Sequence, residues 1–325
     1  MIKKMFDKLY RIDRTDSLRN RYIFLNKIKI SLPKKEVSQK KEKINDYLLY
    51  YKNNNIDITQ IPPIEGELRQ LQLALLSMLI EFDFVCKKYD LKYWLDGGSL
   101  LGAVRHKGFI PWDDDIDCGM MRCDYQKLLQ IFQIEEANTS LTAEYFRSDM
   151  FNGACFIKVY AKETQNLFID IFPVDFYNRK LTKEEKIEKT AIIKELITEI
   201  EKDNYSNVSN SELLRKILIL RDEKIIEKNS INGKFPDVFW GIDFHHVWNN
   251  WFYNYEDFFP LKTIMFEGFE FPVINNPDAY LRGIYGDYMV YPSKLNFGHS
   301  MCKKFTNEEN LLINKFVKRV REIKR

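Results

Sequence analysis

Residues 93–117 read YWLDGGSLLGAVRHKGFIPWDDDID. The last five positions carry four carboxylates, Asp113, Asp114, Asp115 and Asp117, in the company of Ile110, Trp112 and Ile116. Two like charges about 4 Å apart repel by roughly 4 kcal/mol at an effective dielectric near 20. Four aspartates in isolation would read as a solvated turn or a helix cap, but the surroundings argue for a bound cation. Asp115 and Asp117 are separated by one apolar residue. On an extended segment residues i and i+2 share a face, so both carboxylates can meet one divalent ion. Asp170 is a third acid in a strand-like run, FIDIF, where an unpaired buried charge would be costly. Cation binding accounts for Asp115, Asp117 and Asp170 together. Asp113 is a further candidate ligand, whereas Asp114 is expected to face away into solvent.

Outward from the acids, KYWL predicts a short strand, Gly97 and Gly98 a tight turn, Ser99 a cap, and Leu100 to Val104 a short helix. Glycines leading into a helix present N–H groups and a positive dipole end, which suits a phosphate. Upstream, Leu68, Leu71, Leu75, Leu79 and Phe82 recur at helical spacing and predict a core helix. Downstream, CGMMRCDYQKLLQIF predicts a strand end passing into a helix, and ACFIKVYA and NLFIDIFPVD predict strands. Residues 178–232 read as charged helices, and the aromatic segment 235–260 reads by default as core. The chain ends in a helix opened by a capping box, Thr306 and Glu309, with Leu312, Phe316, Val320 and Ile323 on one face.

The 325 residues can build a full core, and 45% apolar with 30% charged residues is an ordinary globular balance. A net charge of +3 excludes a generic polyanion binder, and no nucleic-acid partner is expected. Residues 1–35 nevertheless hold eleven Lys or Arg against three Asp. Ile2, Met5, Phe6, Leu9 and Tyr10 form a helical stripe there. Such a helix fits either an anionic membrane surface or its own domain. Residues 36–63 read as a polar connector. Five cysteines without a CxxC pair indicate reduced, buried thiols. With no signal peptide and no apolar run near the ~20 residues of a membrane span, the expected location is cytoplasmic, peripheral on the inner face of the membrane.

The order strand, Gly-Ser turn, short helix, acid–apolar–acid strand and later strand acid is similar to that of the nucleotidyltransferase superfamily, the polymerase-β-like fold. The whole stretch YWLDGGSLLGAVRHKGFIPWDDDIDCGMMRCDY (93–125) resembles the LicD family of phosphocholine transferases and fukutin-related ribitol-phosphate transferases. FIDIFPVD (168–175) and FEGFEFPVINNPDAYLRGIYGDYMVYP (266–292) extend the likeness. The resemblance implies an α+β fold, a mixed β-sheet flanked by helices, with a helical and aromatic insertion at about 178–262 and helical termini. The corresponding organisation is a basic extension and connector over 1–63, a catalytic domain over 64–300, and an amphipathic helix over 301–325.

It also implies an activity and a site. The family transfers a phospho-alcohol from a CDP-linked donor to a glycan hydroxyl, releasing CMP, with Mg²⁺ or Mn²⁺ as cofactor. Its acidic motif falls on Asp113, Asp115 and Asp117, and its later acid on Asp170, which would complete the metal site and orient or deprotonate the acceptor hydroxyl. Gly97, Gly98 and Ser99 fall where the donor phosphates are expected. Arg105 is a candidate diphosphate contact, and His106 and Lys158 are further candidates. Imidazole packing for His106 and snorkelling for Lys158 are the plain alternatives. Phosphocholine is the simplest group transferred, with ribitol or glycerol phosphate inside the same family as alternatives. The glycan acceptor is expected at the cell surface and lipid-linked. The zinc site of the animal members does not carry over, because His245 and His246 lack nearby cysteines. Competing functions are transfer of a nucleoside monophosphate from a triphosphate, a metal-dependent glycosyltransferase, and a silent scaffold.

Overall fold

The structure, a computed structural model, describes residues 23–24, 27–28, 34–135, 138–148, 154–202, 208–226, 236–244, 252–292 and 304–324. The stripe expected over residues 2–10, His245, His246, His299 and Cys302 lie outside the described residues. Among those described, a mixed sheet runs β3 (Tyr93–Leu95), β4 (Asp117–Met121), β7 (Phe168–Phe176), β6 (Cys155–Ala161), β5 (Leu141–Arg147) in spatial order. β8 (Val238–Trp240) and β9 (Phe252–Tyr253) extend it beside the end of β7. β4 and β7 are parallel and the other neighbours antiparallel. The expected mixed sheet with flanking helices is therefore present.

Local chemistry explains the elements. β6 and most of β7 are buried and apolar, the composition of strands covered on both faces. The helix α2 (Glu67–Lys88) buries Leu71, Leu75, Leu79 and Phe82 as its spacing predicts. α9 (Asn307–Ile323) opens with the predicted capping box and packs along α2. Ile323, expected on its buried face, is exposed at the fraying end. The supposed connector instead contains α1 (Lys34–Asn53), which buries Ile44 and Leu48. Its polar sequence hid a helix with two inward positions. At the N-terminus, β1 (Ile23–Phe24) and β2 (Lys27–Ile28) form a short antiparallel ladder.

The insertion contributes α5 (Lys183–Lys202), α6 (Asn210–Lys224), β8, β9 and the short α7 (Tyr255–Phe258). Among its described residues Phe239, Trp240, Phe252 and Phe258 are buried, as a core segment would have them. Cys86, Cys118 and Cys155 are buried, as expected of core thiols, but Cys123 is exposed because it lies on the outer side of α4 (Arg122–Ile134). No helix among the described residues is long and apolar enough to cross a membrane.

A hairpin, β10 (Lys262–Phe266) and β11 (Phe269–Val273), turns through Glu267 and Gly268, both at positive φ. A two-residue turn of that hand matches strand twist, and a non-glycine residue there needs compensation. Glu267 has it. Its carboxylate receives both arms of the Arg69 guanidinium at 2.8 and 2.7 Å and the Phe109 N–H at 3.3 Å. Burial raises the Glu267 pKa and Arg69 more than reverses it, so the group is held below the ordinary range. The hairpin thereby latches the loop that leads to the acids.

Candidate active site

Four elements meet at the acidic run. β3 ends at Leu95, and Asp96 caps α3 (Gly97–His106), accepting a hydrogen bond from Gly97 N at 2.7 Å. The glycines are thus already the first turn of the helix, and Ser99 is not its cap. The Ser99 hydroxyl instead accepts the backbone N–H of Asp117 at 3.0 Å, fixing the start of β4 against α3. α2 supplies Gln72, fully buried in an otherwise apolar stripe, whose amide donates to the carbonyls of Asp113 at 2.9 Å and Ile110 at 3.3 Å. The acid loop is held by its backbone, which leaves the carboxylates available.

Where those carboxylates lie decides the chemistry. Asp117 and Asp170 are register partners on the parallel strands β4 and β7, so their side chains emerge on one face of the sheet. Lys158 is the antiparallel partner of Asp170, and its ammonium is hydrogen-bonded to the Asp170 carboxylate. The ammonium also rests over the Phe168 ring, 3.5 Å from its centroid. It is therefore buried beside an acid rather than snorkelling. Ligand atoms of Asp113, Asp114 and Asp115 lie within 4.8 Å of one another. Asp114, expected in solvent, is buried, because Trp112, Ile110 and Ile116 draw the loop inward.

The acids repel. Burial, then Asp115 and Asp114, push Asp113 well above the carboxylate range. Burial, then Asp115, Asp170, Asp113 and Asp96, do the same to Asp117. α3 approaches them as closely as its backbone allows. A Cβ on Gly97 would stand 2.6 Å from an Asp117 carboxylate oxygen, and one on Gly98 would stand 2.7 Å from Asp113. The Gly98 N–H donates to Asp117 at 3.3 Å, so the helix end faces the carboxylates directly. Such a cradle of raised carboxylates and helix N–H groups suits a divalent cation with an attached anion. Oxygen donors alone favour a hard ion such as Mg²⁺ or Mn²⁺.

Arg105 and His106 stand at the other end of α3. The Arg105 guanidinium is buried, donates to the Tyr288 carbonyl at 2.6 Å and to His106 Nε2 at 2.9 Å, and lies over Trp112. Burial lowers its pKa to about 10, although Asp113 pulls the other way. Burial and then Arg105 lower His106 to about 3, which keeps the imidazole neutral.

Two residues that the sequence did not single out, Asp96 and Tyr280, belong to the site. Asp96 is fully buried and accepts from Trp94 Nε1 at 3.0 Å and from the Tyr280 hydroxyl at 2.7 Å. Burial pushes it up to about 6, against those hydrogen bonds. Tyr280 belongs to α8 (Pro277–Tyr285), more than 180 positions along the chain, so nothing local announced the pair. Tyr285, at the end of α8, keeps 40% of its surface exposed, whereas Tyr288 is buried.

Comparison with known proteins follows the same geometry. The family model described as LicD/FKTN/FKRP, nucleotidyltransferase domain, matches residues 90–208. The lipopolysaccharide cholinephosphotransferase LicD of Haemophilus influenzae is 30% identical over 249 residues, 69% of this chain and 92% of that protein. This chain belongs to the LicD family. The ribitol 5-phosphate transferase FKRP of Homo sapiens is 35% identical over 100 residues, 31% of this chain and 20% of that protein. As a LicD-family chain with an α+β mixed sheet, the molecule has the nucleotidyltransferase-like fold that its motif order suggested.

Proposed function

We propose that this LicD-family chain transfers a phospho-alcohol, most simply phosphocholine, from a CDP-linked donor to a hydroxyl of a cell-surface glycan, releasing CMP. The observation that carries this is the shared face of Asp117 and Asp170 against the glycine end of α3, where Asp115 and Asp113 are close enough to raise Asp117. The names of two relatives, one a cholinephosphotransferase and one a ribitol 5-phosphate transferase, support the class of group transferred.

Asp115, Asp117 and Asp170, with Asp113 beside them, would hold Mg²⁺ or Mn²⁺, which when bound supplies charge neutralisation for the donor diphosphate. The N-terminal end of α3, where Gly97 and Gly98 leave no Cβ in the way, faces the donor phosphates with its positive dipole end, and Ser99 keeps Asp117 in place. Arg105 adds positive potential from within, with His106 as its neutral neighbour. Asp170 orients the acceptor hydroxyl and receives its proton, while Lys158 holds that carboxylate in position. The acceptor oxygen forms a bond to the distal phosphorus as the bond from that phosphorus to CMP breaks. Placement and charge compensation account for the catalysis. Residues 1–35 would bring the enzyme to an anionic membrane surface bearing a lipid-linked acceptor.

The test is product analysis with CDP-choline, CDP-ribitol and CDP-glycerol, each with Mg²⁺ and a glycan acceptor. Release of CMP with one of them supports the assignment and names the alcohol. Release of pyrophosphate from a nucleoside triphosphate would point to nucleotidyl transfer instead. Liposome binding that survives deletion of residues 1–35 would remove the membrane role.

A further inference from the structure

One face of the sheet carries an ammonium between two acids. Lys158 on β6 stands opposite Glu144 on β5 and opposite Asp170 on β7. Glu144 is exposed, whereas Lys158 and Asp170 are buried, at 7% and 5% exposure. A flexible four-carbon stem could serve either neighbour, and an ammonium gives up hydration by turning inward. Lys158 nevertheless bonds the buried acid.

What receives it there is a set of aromatic faces. The Lys158 ammonium lies 3.5 Å from the ring centroid of Phe168 and 5.0 Å from those of Phe146 and Phe156. The three rings come from three strands. Phe156 is two positions before Lys158 and Phe168 two before Asp170, so strand alternation puts rings, ammonium and carboxylate on one face. Phe146 is the register partner of Phe156, and their rings are 5.5 Å apart. A cation over ring faces is attracted by their quadrupoles, most strongly where water is excluded. The rings therefore offset a desolvation that pairing with Glu144 would not demand.

We propose that Phe146, Phe156 and Phe168 are positioning residues, an aromatic cage that holds the Lys158 ammonium on Asp170 and off Glu144. Through that ammonium they fix the carboxylate that faces the acceptor. The acceptor role of Asp170 rests on the function proposed above, whereas the cage itself does not. Lys158 on this account makes no contact with the donor. An ammonium is a point charge on a flexible stem, without the fixed fork of a guanidinium, so an acid alone gives it no direction. The rings supply the direction. With a ring face removed, the ammonium turns outward to Glu144 and water, where little hydration is lost, and Asp170 loses that anchor.

Heteronuclear NMR of the lysine ammonium groups in the full chain reads the cage without reference to activity. The parent should give one ammonium resonance displaced by the rings and slow to exchange, identified by its loss in Lys158→Met. Phe168→Leu, which keeps an apolar side chain and removes the nearest ring face, should return that resonance to the position of solvent-exposed lysines. CMP release reads the consequence. Phe168→Leu should lower kcat about tenfold with the donor KM within about twofold of the parent. It should cost nothing further in a Lys158→Met background, since contacts that act through one residue are not additive. Phe146→Leu, at a half-buried ring, should give the same pattern with a smaller loss, and it decides the matter if Phe168→Leu does not fold. No displaced resonance in the parent, or one unchanged by Phe168→Leu, would overturn the cage and leave the proposed transfer standing. Equal losses of kcat in the two backgrounds would reduce the rings to packing. A displaced resonance in a parent that releases no CMP would overturn the transfer and the positioning role together.

Discussion

Strand β7 carries two buried aspartates five positions apart, and their surroundings have opposite charge balances. Asp175 accepts both arms of Arg122, at 3.0 and 2.8 Å, and Arg221 at 2.6 Å. Asp243 takes the remaining Arg122 contacts, at 2.8 and 2.6 Å, and the Tyr145 hydroxyl at 3.3 Å. Burial pushes Asp175 up, but Arg122 and then Arg221 more than reverse it, leaving its pKa below the ordinary value. Asp170 sits at the other end of β7 and on the other face. There it shares Lys158 with a corner that also holds Asp113, Asp114, Asp115 and Asp117. In one corner two arginines answer two aspartates. In the other, negative charge is left in excess, and Asp113 and Asp117 are raised rather than lowered. A buried imbalance of that size is a poor way to stabilise a fold and a good way to bind a cation.

The comparison can be broken by exchanging the consequences of equivalent mutations. The largest expected effect is on catalysis. Asp117→Asn, which keeps the shape and removes a charge, should lower CMP release by roughly a thousandfold or more, and its melting temperature should not fall below that of the parent. Normal turnover would remove Asp117 from the site. Asp175→Ala should do the reverse, destabilising the chain by about 3–5 kcal/mol in urea titrations because it leaves Arg122 partly unpaired in the interior. An unchanged unfolding midpoint would show that the arginine pair is not structural.

A smaller, reversible effect separates the two corners without comparing activity. At about 100 times its dissociation constant, Mg²⁺ or Mn²⁺ should stabilise the parent by about 2.7 kcal/mol. Thermal shift should record this in the parent and in a mildly destabilised Asp175→Asn, but not in Asp115→Asn. A shift retained by Asp115→Asn would move the ion elsewhere.

The pH response sharpens the contrast further. A lowered carboxylate stabilises the fold above its unfolded pKa, and that stability disappears as pH falls through the lower folded value. Asp175 therefore contributes fully above about pH 4 and loses its contribution below. Asp113 and Asp117, raised in the folded chain, act in the opposite sense: protonation relieves repulsion as pH falls from the neutral range. Melting curves across pH should show the metal-free Asp117→Asn less stabilised than the parent by mild acidification. Identical pH profiles would contradict the charge imbalance. The smallest effect expected is from Gly98→Ala, whose new methyl must displace the Asp113 carboxylate. It should weaken divalent-ion affinity by about tenfold, measured by the same titration.

How much of this was visible beforehand varies with the range of the interaction. Acid–apolar–acid spacing placed Asp115 and Asp117 on an extended segment, and FIDIF put Asp170 on a buried strand. Both follow from side-chain periodicity within a few residues. The apolar spacing of α2 and the capping box of α9 were equally local. Ser99 was misjudged because a serine before a helix caps by habit, whereas here its partner, Asp117 N, arrives from another strand. Asp114 was misjudged because solvation is the default for a charged turn residue. Its burial follows the inward packing of Ile110, Trp112 and Ile116 on a loop whose carbonyls are held by Gln72, remote in sequence. Gln72 itself looked like a gap in an apolar stripe.

By itself, then, the sequence determined the residue types for holding a divalent ion, the two glycines beside them, and membership of a family whose motif spans them. Those features are encoded over short distances, where backbone periodicity and side-chain chemistry are enough. Only the tertiary structure decided that Asp170 lies beside Asp117 rather than across the sheet, that Lys158 is its partner, and that α8 from the C-terminal third brings Tyr280 to Asp96. Those are matters of strand order and helix docking, set by the burial of many apolar groups at once, and no local pattern contains them.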